Sequence, residues 1–383
     1  MTADLDWVKR NLGFDPITQP APDDTYAFAA AAHPQAPEDV AREIIDFDSF
    51  SAEGAAFFAF SKATGLSAFK EIPWPAGLAP QTSANAGAAG DGPLPKADVL
   101  VVTWTVDEGH ALSRVLTPGK DSRNDYVAYT HNFAQIAEQM ERGCPAVEAG
   151  RLGTFWMTSI GGKSVVVFKS ESHMSQDGPK LPNLLVWKQI IGEVQPQLVI
   201  TTGTGGGIGP NCEVGDVVVS PTVHFNCIKK FKNEAFAKAD YSSAAADTSH
   251  YAAASALFAA NADQLPTDNT RAPRILLCPP GDLPASVVTT DFFGFDDTAN
   301  SYGLKGLGAL SEMGDAVLGL AAQQIGAGAP PWLAIRNVSD PQIKSDGLTL
   351  AQQAKVAAQI YKGYGRWSSI CSAIVCWAAI AAL

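Results

Sequence analysis

Residues 199–221 read VITTGTGGGIGPNCEVGDVVVSP, and five of the seven residues from Gly203 to Gly209 are glycine. A run this rich in glycine usually lets the backbone take a positive φ or approach another group closely, most often a phosphate. It is not a P-loop, because Pro210 and Asn211 stand where a lysine and a hydroxyl residue would follow. It is not a dinucleotide fingerprint either, because the glycine spacing fails and a β-branched run follows instead of a helix. We therefore predict a strand, a glycine loop, a turn and a second strand.

From residue 97 onward, strand patterns alternate with helical patterns. The stretches ADVLVVTW (97–104) and KSVVVFKS (163–170) are predicted to be buried strands, and LPNLLVWKQIIGEV (181–194) is predicted to be a helix. This alternation predicts an α/β fold with a mixed, mostly parallel central sheet flanked by helices. Ligands in such folds bind beyond the carboxyl ends of the strands. The candidate site segments are therefore those that follow predicted strands, namely 104–108, 170–178, 203–209, 291–295 and 337–341.

Residues 1–95 differ in composition from the remainder of the chain. They contain Ala-rich amphipathic stretches such as APEDVAREIIDF (36–47), which is predicted to be a helix, and they end in the Gly/Ala/Pro-rich linker QTSANAGAAGDGPLP (81–95). We divide the chain into an N-terminal accessory segment, residues 1–95, and a main domain, residues 96–383. The segment contains no candidate catalytic residues. Three roles remain as alternatives for it: an accessory domain, an oligomerisation arm or a lid.

The composition limits the partners and the compartment. With 46% hydrophobic and 17% charged residues the 383-residue chain can form a packed core, and its net charge of -12 argues against nucleic acid as a partner. The six cysteines form no CxxC pair and show no zinc spacing, so we predict neither a metal site nor a cofactor. No signal-peptide pattern is evident, so a reducing, cytoplasmic location is expected.

The C-terminal stretch SSICSAIVCWAAIAAL (368–383) is the one candidate for a membrane segment. It is rich in alanine and serine, and it falls short of the ~20 apolar residues that a spanning helix needs. We therefore predict a buried final helix and no membrane partner.

Two carboxylates that follow different predicted strands are candidate acid–base groups. Glu108 lies just beyond the first strand, where Thr105 and Glu108 also fit a capping box at a helix start. Asp340 ends the strand WLAIRNVSD, where Ser339 could orient it; a turn before proline is the structural alternative. Two carboxyl groups suit the cleavage of a glycosidic bond, because one protonates the leaving group and the other activates water. Phe293 follows another strand, either as a core residue or as a platform for a flat base.

The chain resembles the superfamily of purine nucleoside phosphorylases and methylthioadenosine (S-adenosylhomocysteine) nucleosidases in three places. Residues 199–221 resemble the family's TG-[ST]-[AG]-GG loop, which is followed by VGDVVVS. Residues 311–340, SEMGDAVLGLAAQQIGAGAPPWLAIRNVSD, resemble its EMEGAA helix and VRxISD segment. Residues 97–112, ADVLVVTWTVDEGHAL, resemble its opening strand and acidic turn. The matches occur in the family's order over roughly 97–380, and the resemblance implies that the main domain is a nucleoside phosphorylase/nucleosidase-like domain.

The resemblance implies hydrolysis of the N-glycosidic bond of a purine nucleoside or related compound, a small-molecule partner. In that scheme Glu108 activates the attacking water, and Asp340, oriented by Ser339, protonates N7 of the base. A purine is favoured over a pyrimidine because only the purine offers N7. Phe293 matches the aromatic residue that stacks on the base, and Met313 matches the methionine under the sugar. The residues that match the loop beside the ribose and the nucleophile are Thr204, Gly205 and Gly206.

Two positions depart from the family pattern. The glutamate that binds the ribose 2′- and 3′-hydroxyls in the family corresponds to Gly314, so Asp315 or Glu312 would have to replace it, or ribose recognition is altered or lost. Hexameric phosphorylases carry an arginine before the glycine loop, where this chain has Thr201. Water is therefore favoured as the nucleophile; the alternatives are a phosphate-dependent phosphorylase and a catalytically inactive nucleoside-binding sensor. The family also implies a homo-oligomer, a dimer or larger.

Overall fold

The structure, a computed structural model, describes residues 2–12, 72–83, 90–210, 212–244, 247–258 and 269–383. Its strands are β1 (Thr2–Ala3), β2 (Gln81–Thr82), β3 (Val99–Thr103), β4 (Val127–Tyr129), β5 (Gly153–Ile160), β6 (Lys163–Ser170), β7 (Leu198–Gly207), β8 (Val217–Ser220), β9 (Thr222–Asn226), β10 (Asp240–Ser242), β11 (Ile275–Leu277), β12 (Val287–Thr290), β13 (Leu310–Glu312), β14 (Trp332–Asp340) and β15 (Gln342–Ile343). Its α-helices are α1 (Leu5–Leu12), α2 (Val106–Leu116), α3 (Phe133–Ala137), α4 (Pro145–Ala149), α5 (Asn183–Val194), α6 (Tyr251–Phe258), α7 (Asp315–Ile325) and α8 (Leu350–Ala381).

Parallel strands form the centre of the main sheet. β3 lies between β6 and β7 and runs parallel to both, so that Val101 is opposite Val167 on one side and Ile200 on the other. β14 runs parallel to β7 and antiparallel to β8. Every residue of β3, β8 and β14 is buried, as expected where helices cover both faces of parallel strands. The predicted α/β fold with a mixed, mostly parallel central sheet is confirmed.

Helices cover the sheet and enclose two apolar cores. α8 packs on α2, α6 and β14, and this core includes Ile374 and Trp377. α7 packs on α5, and this second core includes Trp187 and Leu318. The two cores hold the strand ends in place from both sides.

The final helix is buried, as predicted. α8 begins with a capping box in which Thr349 accepts from the Gln352 N–H and the Gln352 side chain accepts from the Thr349 N–H. The apolar half that follows places Ile374, Cys376 and Trp377 entirely out of solvent. Within the described ranges, no helix combines the length and the apolar character that a membrane span requires.

The glycine stretch is mostly strand, whereas we predicted a loop from Gly203. β7 continues through Gly207, with β13 and β14 paired to it. A Cβ atom on Gly203 would lie 2.3 Å from the carboxylate carbon of Glu108. A Cβ atom on Gly205 would lie 2.2 Å from the side chain of Leu310. Glycine here allows neighbouring groups to approach a strand at distances that any side chain would prevent.

The described parts of the accessory segment contact the main domain. β1 pairs with β15, and Trp7 of α1 is only 2% exposed. β2 pairs with β5, and the ring of Trp74 lies 4.9 Å from that of Trp377. Residues 13–71 and 84–89, which include the predicted helix and part of the linker, lie outside the described residues. The boundary after the linker stays a prediction.

Gly203 offers a test of the close packing between β7 and Glu108. Its φ is +146°, a region that L side chains rarely adopt, so Gly203→Ala should lower the free energy of unfolding by about 1–3 kcal/mol through backbone strain. The overlap with Glu108 adds to this loss. Urea unfolding at neutral pH measures the change.

The matched control is Gly192 in the last turn of α5, where an added Cβ meets no atom within 4 Å. Gly192→Ala should raise the free energy of unfolding by about 0.5–1 kcal/mol, because alanine is the better helix residue. A Gly203→Ala variant as stable as the parent chain would show that the strand is not confined as described.

Candidate functional site

A cavity lies at the carboxyl ends of β3, β6, β7, β12 and β14, at the edge of the sheet where the sequence predicted it. It contains about 640 Å³ of empty space, its open mouth included. Of the predicted site residues, all except Asp315 line it, namely Glu108, Thr204, Gly205, Gly206, Phe293, Glu312, Met313, Ser339 and Asp340. Further lining residues are Trp104, Thr105, His173, Thr290, Gly294, Ser311, Gly314, Arg336 and Tyr361.

Glu108 both caps a helix and lines the cavity. The capping box at the start of α2 is present, with the Thr105 N–H donating to Oε2 of Glu108 at 2.9 Å. Oε2 also accepts from the Thr103 hydroxyl (2.9 Å) and the Trp104 N–H (3.1 Å). Oε1 accepts from the N–H (2.7 Å) and the hydroxyl (2.8 Å) of Thr204. The capping box and a position in the cavity wall are therefore compatible, and Glu108 has both.

These surroundings favour the ionised form of Glu108. Burial alone would raise the pKa of its carboxyl, but the positive charge of Arg336 and the donors on Thr204 and Thr105 more than offset it. The net effect is a pKa below the usual range of glutamate. Glu108 is a carboxylate at neutral pH.

Arg336 is a buried cation that the sequence analysis did not single out. It donates from Nε (2.8 Å) and Nη2 (2.5 Å) to the carboxylate of Asp315, and its Nη2 lies 3.3 Å from Oε2 of Glu312. Its Nη1 lies 3.8 Å from Oε1 of Glu108. The guanidinium also lies 4.8 Å from the centre of the Trp104 ring, a cation–π distance. The sequence did contain a signal for this residue: Arg336 is a charged residue that directly follows the apolar start of β14, residues 332–335.

The two carboxylates predicted to replace the ribose-binding glutamate are both engaged inside the wall. Asp315, predicted to bind substrate, lies behind the cavity and forms the paired hydrogen bonds with Arg336. Glu312 accepts from the N–H groups of Gly314 (2.6 Å) and Asp315 (3.0 Å) and from the Thr289 hydroxyl. Burial and the neighbouring Asp315 raise the pKa of Glu312, although Arg336 opposes the shift. Both carboxylates hold the start of α7 to β14.

Asp340 has the opposite protonation preference to Glu108. Burial raises the pKa of its carboxyl to about 7, although the Ser339 hydroxyl, which donates to Oδ1 at 2.8 Å, opposes the shift. A Cβ on Gly206 would lie 3.0 Å from Oδ2, so glycine leaves room for this oxygen. Glu108 bonds to Thr204, and Asp340 lies beside Gly206, two residues further along β7. The backbone positions of Thr204 and Gly206 are about 7 Å apart along the strand.

His173 reaches the cavity from the segment after β6, where the sequence marked a strand end but no individual residue. The carboxylate of Asp177 accepts from the His173 N–H at 2.8 Å and fixes the backbone there. Nδ1 of His173 accepts from the Ser175 N–H at 3.3 Å. Burial lowers the pKa of the imidazole to about 3, with the Glu108 charge opposing the shift and the Arg336 charge adding to it. The imidazole is neutral at neutral pH.

The two adjacent phenylalanines after β12 lie in different places, one in the core and the other in the cavity wall. Phe292 is 1% exposed and packs against Tyr302 with ring centres 5.1 Å apart. Phe293, the residue predicted to stack on a base, lines the cavity. From α8, Tyr361 also reaches the cavity, and its hydroxyl donates to that of Thr105 at 3.0 Å. The wall thus combines flat apolar groups with a few placed polar ones, which is usual for small-molecule sites.

The charges around the cavity are mainly acidic. Among the described lining residues Arg336 is the one permanent cation, and it lies against three carboxylates. In the same described part of the chain, no group of histidine, cysteine, aspartate and glutamate side chains is arranged to hold a metal ion.

Comparison with known proteins identifies relatives of the main domain. The model of the phosphorylase superfamily matches residues 126–364, more than half of the chain. That range contains His173, Thr204 and Asp340, and it begins after Glu108. No curated protein matches the sequence significantly.

Several solved structures are similar to this chain. One is the 5′-methylthioadenosine/S-adenosylhomocysteine nucleosidase from Neisseria meningitidis in complex with methylthio-immucillin-A, with 17% identity, a TM-score of 0.45 and coverage of 74% of this chain and 99% of that chain. Another is the corresponding nucleosidase from Colwellia psychrerythraea 34H in complex with adenine, with 16% identity, a TM-score of 0.44 and coverage of 76% and 98%. A third is the futalosine hydrolase of Helicobacter pylori, with 12% identity, a TM-score of 0.43 and coverage of 73% and 96%.

Arg336→Met tests whether the buried cation holds the site together. It leaves the buried carboxylates of Glu108 and Asp315 without their counter-charge, so the free energy of unfolding at pH 7 should fall by about 3–5 kcal/mol. Without Arg336, the pKa of Glu108 in the folded state should rise, because burial is the largest influence on it and the charge of Arg336 is the largest one that opposes burial. The folded variant then binds protons more readily than the folded parent chain, so its stability deficit relative to the parent should shrink as the pH falls from 7 to 5.

Urea unfolding of the variant at both pH values measures this effect. The exposed Arg142 provides the control, because Arg142→Met should change stability by no more than about 0.5 kcal/mol. An Arg336→Met deficit that does not depend on pH would mean that the carboxylates do not depend on this cation.

Proposed function

The chain belongs to the phosphorylase superfamily, and from this premise we propose that its cavity binds a purine nucleoside or related compound and hydrolyses the N-glycosidic bond. One observation carries the proposal. Two buried carboxyl groups face one cavity with opposite protonation preferences, Glu108 ionised and Asp340 with a pKa of about 7. Environments that separate two carboxyl groups in this way assign one as the base and the other as the acid.

In the proposed reaction the bond between the sugar C1′ and the base nitrogen breaks, and the bonding electrons leave with the base. Asp340, held by Ser339, gives its proton to N7 of the purine. A water oxygen forms the new bond to C1′, and Glu108 takes one of its protons. The products are free base and free sugar. Glu108 then releases its proton to solvent and Asp340 takes one up from solvent, which restores both groups for the next cycle. Only a purine offers N7, so we propose a purine substrate.

Glu108 can accept this proton because some of its donors are movable. Three of the five are backbone N–H groups, which the strand and the helix hold in place. The other two are the hydroxyls of Thr103 and Thr204, which can rotate. We propose that a hydroxyl turns away from Glu108 when the attacking water arrives.

The other predicted residues fit roles in binding. Phe293 would stack on the base, and Met313 would lie under the sugar. The close approach allowed by the glycine stretch would place sugar and water against the strand backbone, at Thr204, Gly205 and Gly206. The homo-oligomer and the cytoplasmic location predicted from the sequence stay predictions.

Water fits the cavity better than phosphate as the nucleophile. A phosphate dianion needs a cationic clamp, and here Arg336 is already bonded to Asp315 and close to Glu312. A phosphate beside Glu108 would also meet a like charge. The phosphorylase and the inactive sensor are the alternatives that the experiment below separates from the hydrolase.

The first test is release of base from a panel of purine nucleosides, nucleotides and 5′-thio-nucleosides, with and without phosphate, followed by chromatography. We expect free base and free sugar whether or not phosphate is present. Asp340→Asn should reduce the rate by about 10²–10⁴-fold, because the amide has no proton to give. Base release that requires phosphate would establish a phosphorylase, and binding without release would establish a sensor.

Asp297→Asn is the matched control for Asp340→Asn. Asp297 is equally buried, does not line the cavity, and accepts from the N–H and hydroxyl of Ser301 at 2.7 Å. Its variant should keep a rate close to that of the parent chain. A full rate in Asp340→Asn would remove Asp340 as the acid.

The pH dependence of kcat/KM provides a second test. Asp340 must be protonated to act, so kcat/KM should fall about tenfold per pH unit above pH 7, where its carboxyl loses the proton. Glu108 must be ionised, and its lowered pKa keeps it so into the acid range. The profile should therefore stay level from about pH 5 to 7. A rate that rises from pH 7 to 9 would contradict these assignments.

A further inference from the structure

His173 has no role in the reaction described so far, although it lines the cavity beside Glu108. Its side chain comes from the segment after β6, which is held firmly. Asp177 accepts from the His173 N–H and from the Ser172 hydroxyl, and the side-chain amide of Asn183 donates to the Ser172 carbonyl at 2.9 Å. His173 is 6% exposed and Asp177 is fully buried. The position of the imidazole is therefore set by the fold.

The hydrogen bonds of His173 identify the nitrogen that carries the proton. The Ser175 N–H points at Nδ1, so Nδ1 supplies a lone pair and the proton of the neutral ring lies on Nε2. The Ser175 hydroxyl lies 2.9 Å from the same Nδ1. Among the described residues, Nε2 has no hydrogen-bond partner. The Nε2–H group lies in the cavity wall and still needs a hydrogen-bond acceptor.

The polar groups around His173 are already engaged. Glu108 accepts from five donors, and Arg336 is bonded to Asp315. The imidazole is neutral, because burial and the nearby Arg336 disfavour a second proton. A neutral N–H group suits an uncharged oxygen acceptor. It brings no positive charge to a phosphate dianion.

We propose that His173 holds the attacking water, with Nε2–H donating to the water oxygen while one water proton points to Glu108. This role rests on the proposed hydrolysis. A water molecule can satisfy all the contacts at once: one lone pair accepts from His173, the other attacks C1′, and one hydrogen is donated to Glu108. As the O–C1′ bond forms and the bond to the base breaks, the proton moves to Glu108 and His173 keeps its own.

Kinetics of two variants test this role. His173→Ala removes the donor and should lower kcat by about 10²-fold, the usual effect of a misplaced reacting group, with KM changed less than about twofold. His173→Gln keeps an N–H donor on a shorter side chain and should retain a larger part of kcat. The control is His131→Ala, because His131 is bonded to Glu193 and does not line the cavity; its kcat should match the parent chain.

A measurement without turnover tests the same assignment in the folded parent chain. The ¹⁵N chemical shifts of the His173 ring should report a neutral ring with the proton on Nε2 from pH 8 down to about pH 5. A proton on Nδ1, or an imidazolium at neutral pH, would overturn the role. Comparison of the spectra of parent and His173→Ala assigns the resonances.

The outcomes separate His173 from the hydrolase proposal. A parent chain that releases no base overturns both. A parent chain that is active, with His173→Ala equally active, overturns only the role of His173. A variant with unchanged kcat and a raised KM would mean that His173 binds the substrate and not the water. An equal fall in kcat in His131→Ala, which does not line the cavity, would overturn a specific role of His173.

Discussion

The site depends on one ion-pair cluster, in which the buried Arg336 lies among the carboxylates of Glu108, Glu312 and Asp315. Water is largely excluded there, and a carboxyl group without such a partner would hold its proton. Asp340 shows this second behaviour, because burial dominates its pKa. At Glu108 the charge of Arg336 and the donors of Thr204 and Thr105 together offset the effect of burial on the pKa. At Asp340 the Ser339 hydroxyl does not offset it. Two similar groups in one cavity therefore have opposite protonation preferences.

The elements of the fold could be predicted because parallel strands that are covered on both faces appear in the sequence as continuous apolar runs. The apolar runs that became β3, β6 and β14 have nearly the predicted bounds, and the predicted final helix forms the C-terminal part of α8. The edge that holds the site followed from the same rule, since ligands bind where such strands end. The residues predicted there, among them Glu108 and Asp340, do line the cavity.

The remaining features depend on contacts between distant parts of the chain. The glycines of β7 were predicted to form a loop, because the neighbouring sequence does not show that β13 and Glu108 pack against that strand. Arg336 was overlooked because its acidic partners come from two parts of the chain far from it in sequence, Glu108 in α2 and the pair Glu312 and Asp315 at the start of α7. Asp315 read as a ligand group for the same reason, since only the folded chain turns it toward Arg336. His173 had no local pattern at all.

The double use of Glu108 has a consequence for how this protein can change over evolutionary time. The carboxylate that faces the cavity also closes the first turn of α2 and bonds to β7, so three parts of the molecule share one side chain. A lineage that abandoned the proposed chemistry could not discard this residue without repairing the start of α2. Presence of the glutamate in a descendant would therefore be poor evidence of activity, whereas Asp340, which supports less of the framework, could drift soon after selection for turnover ended.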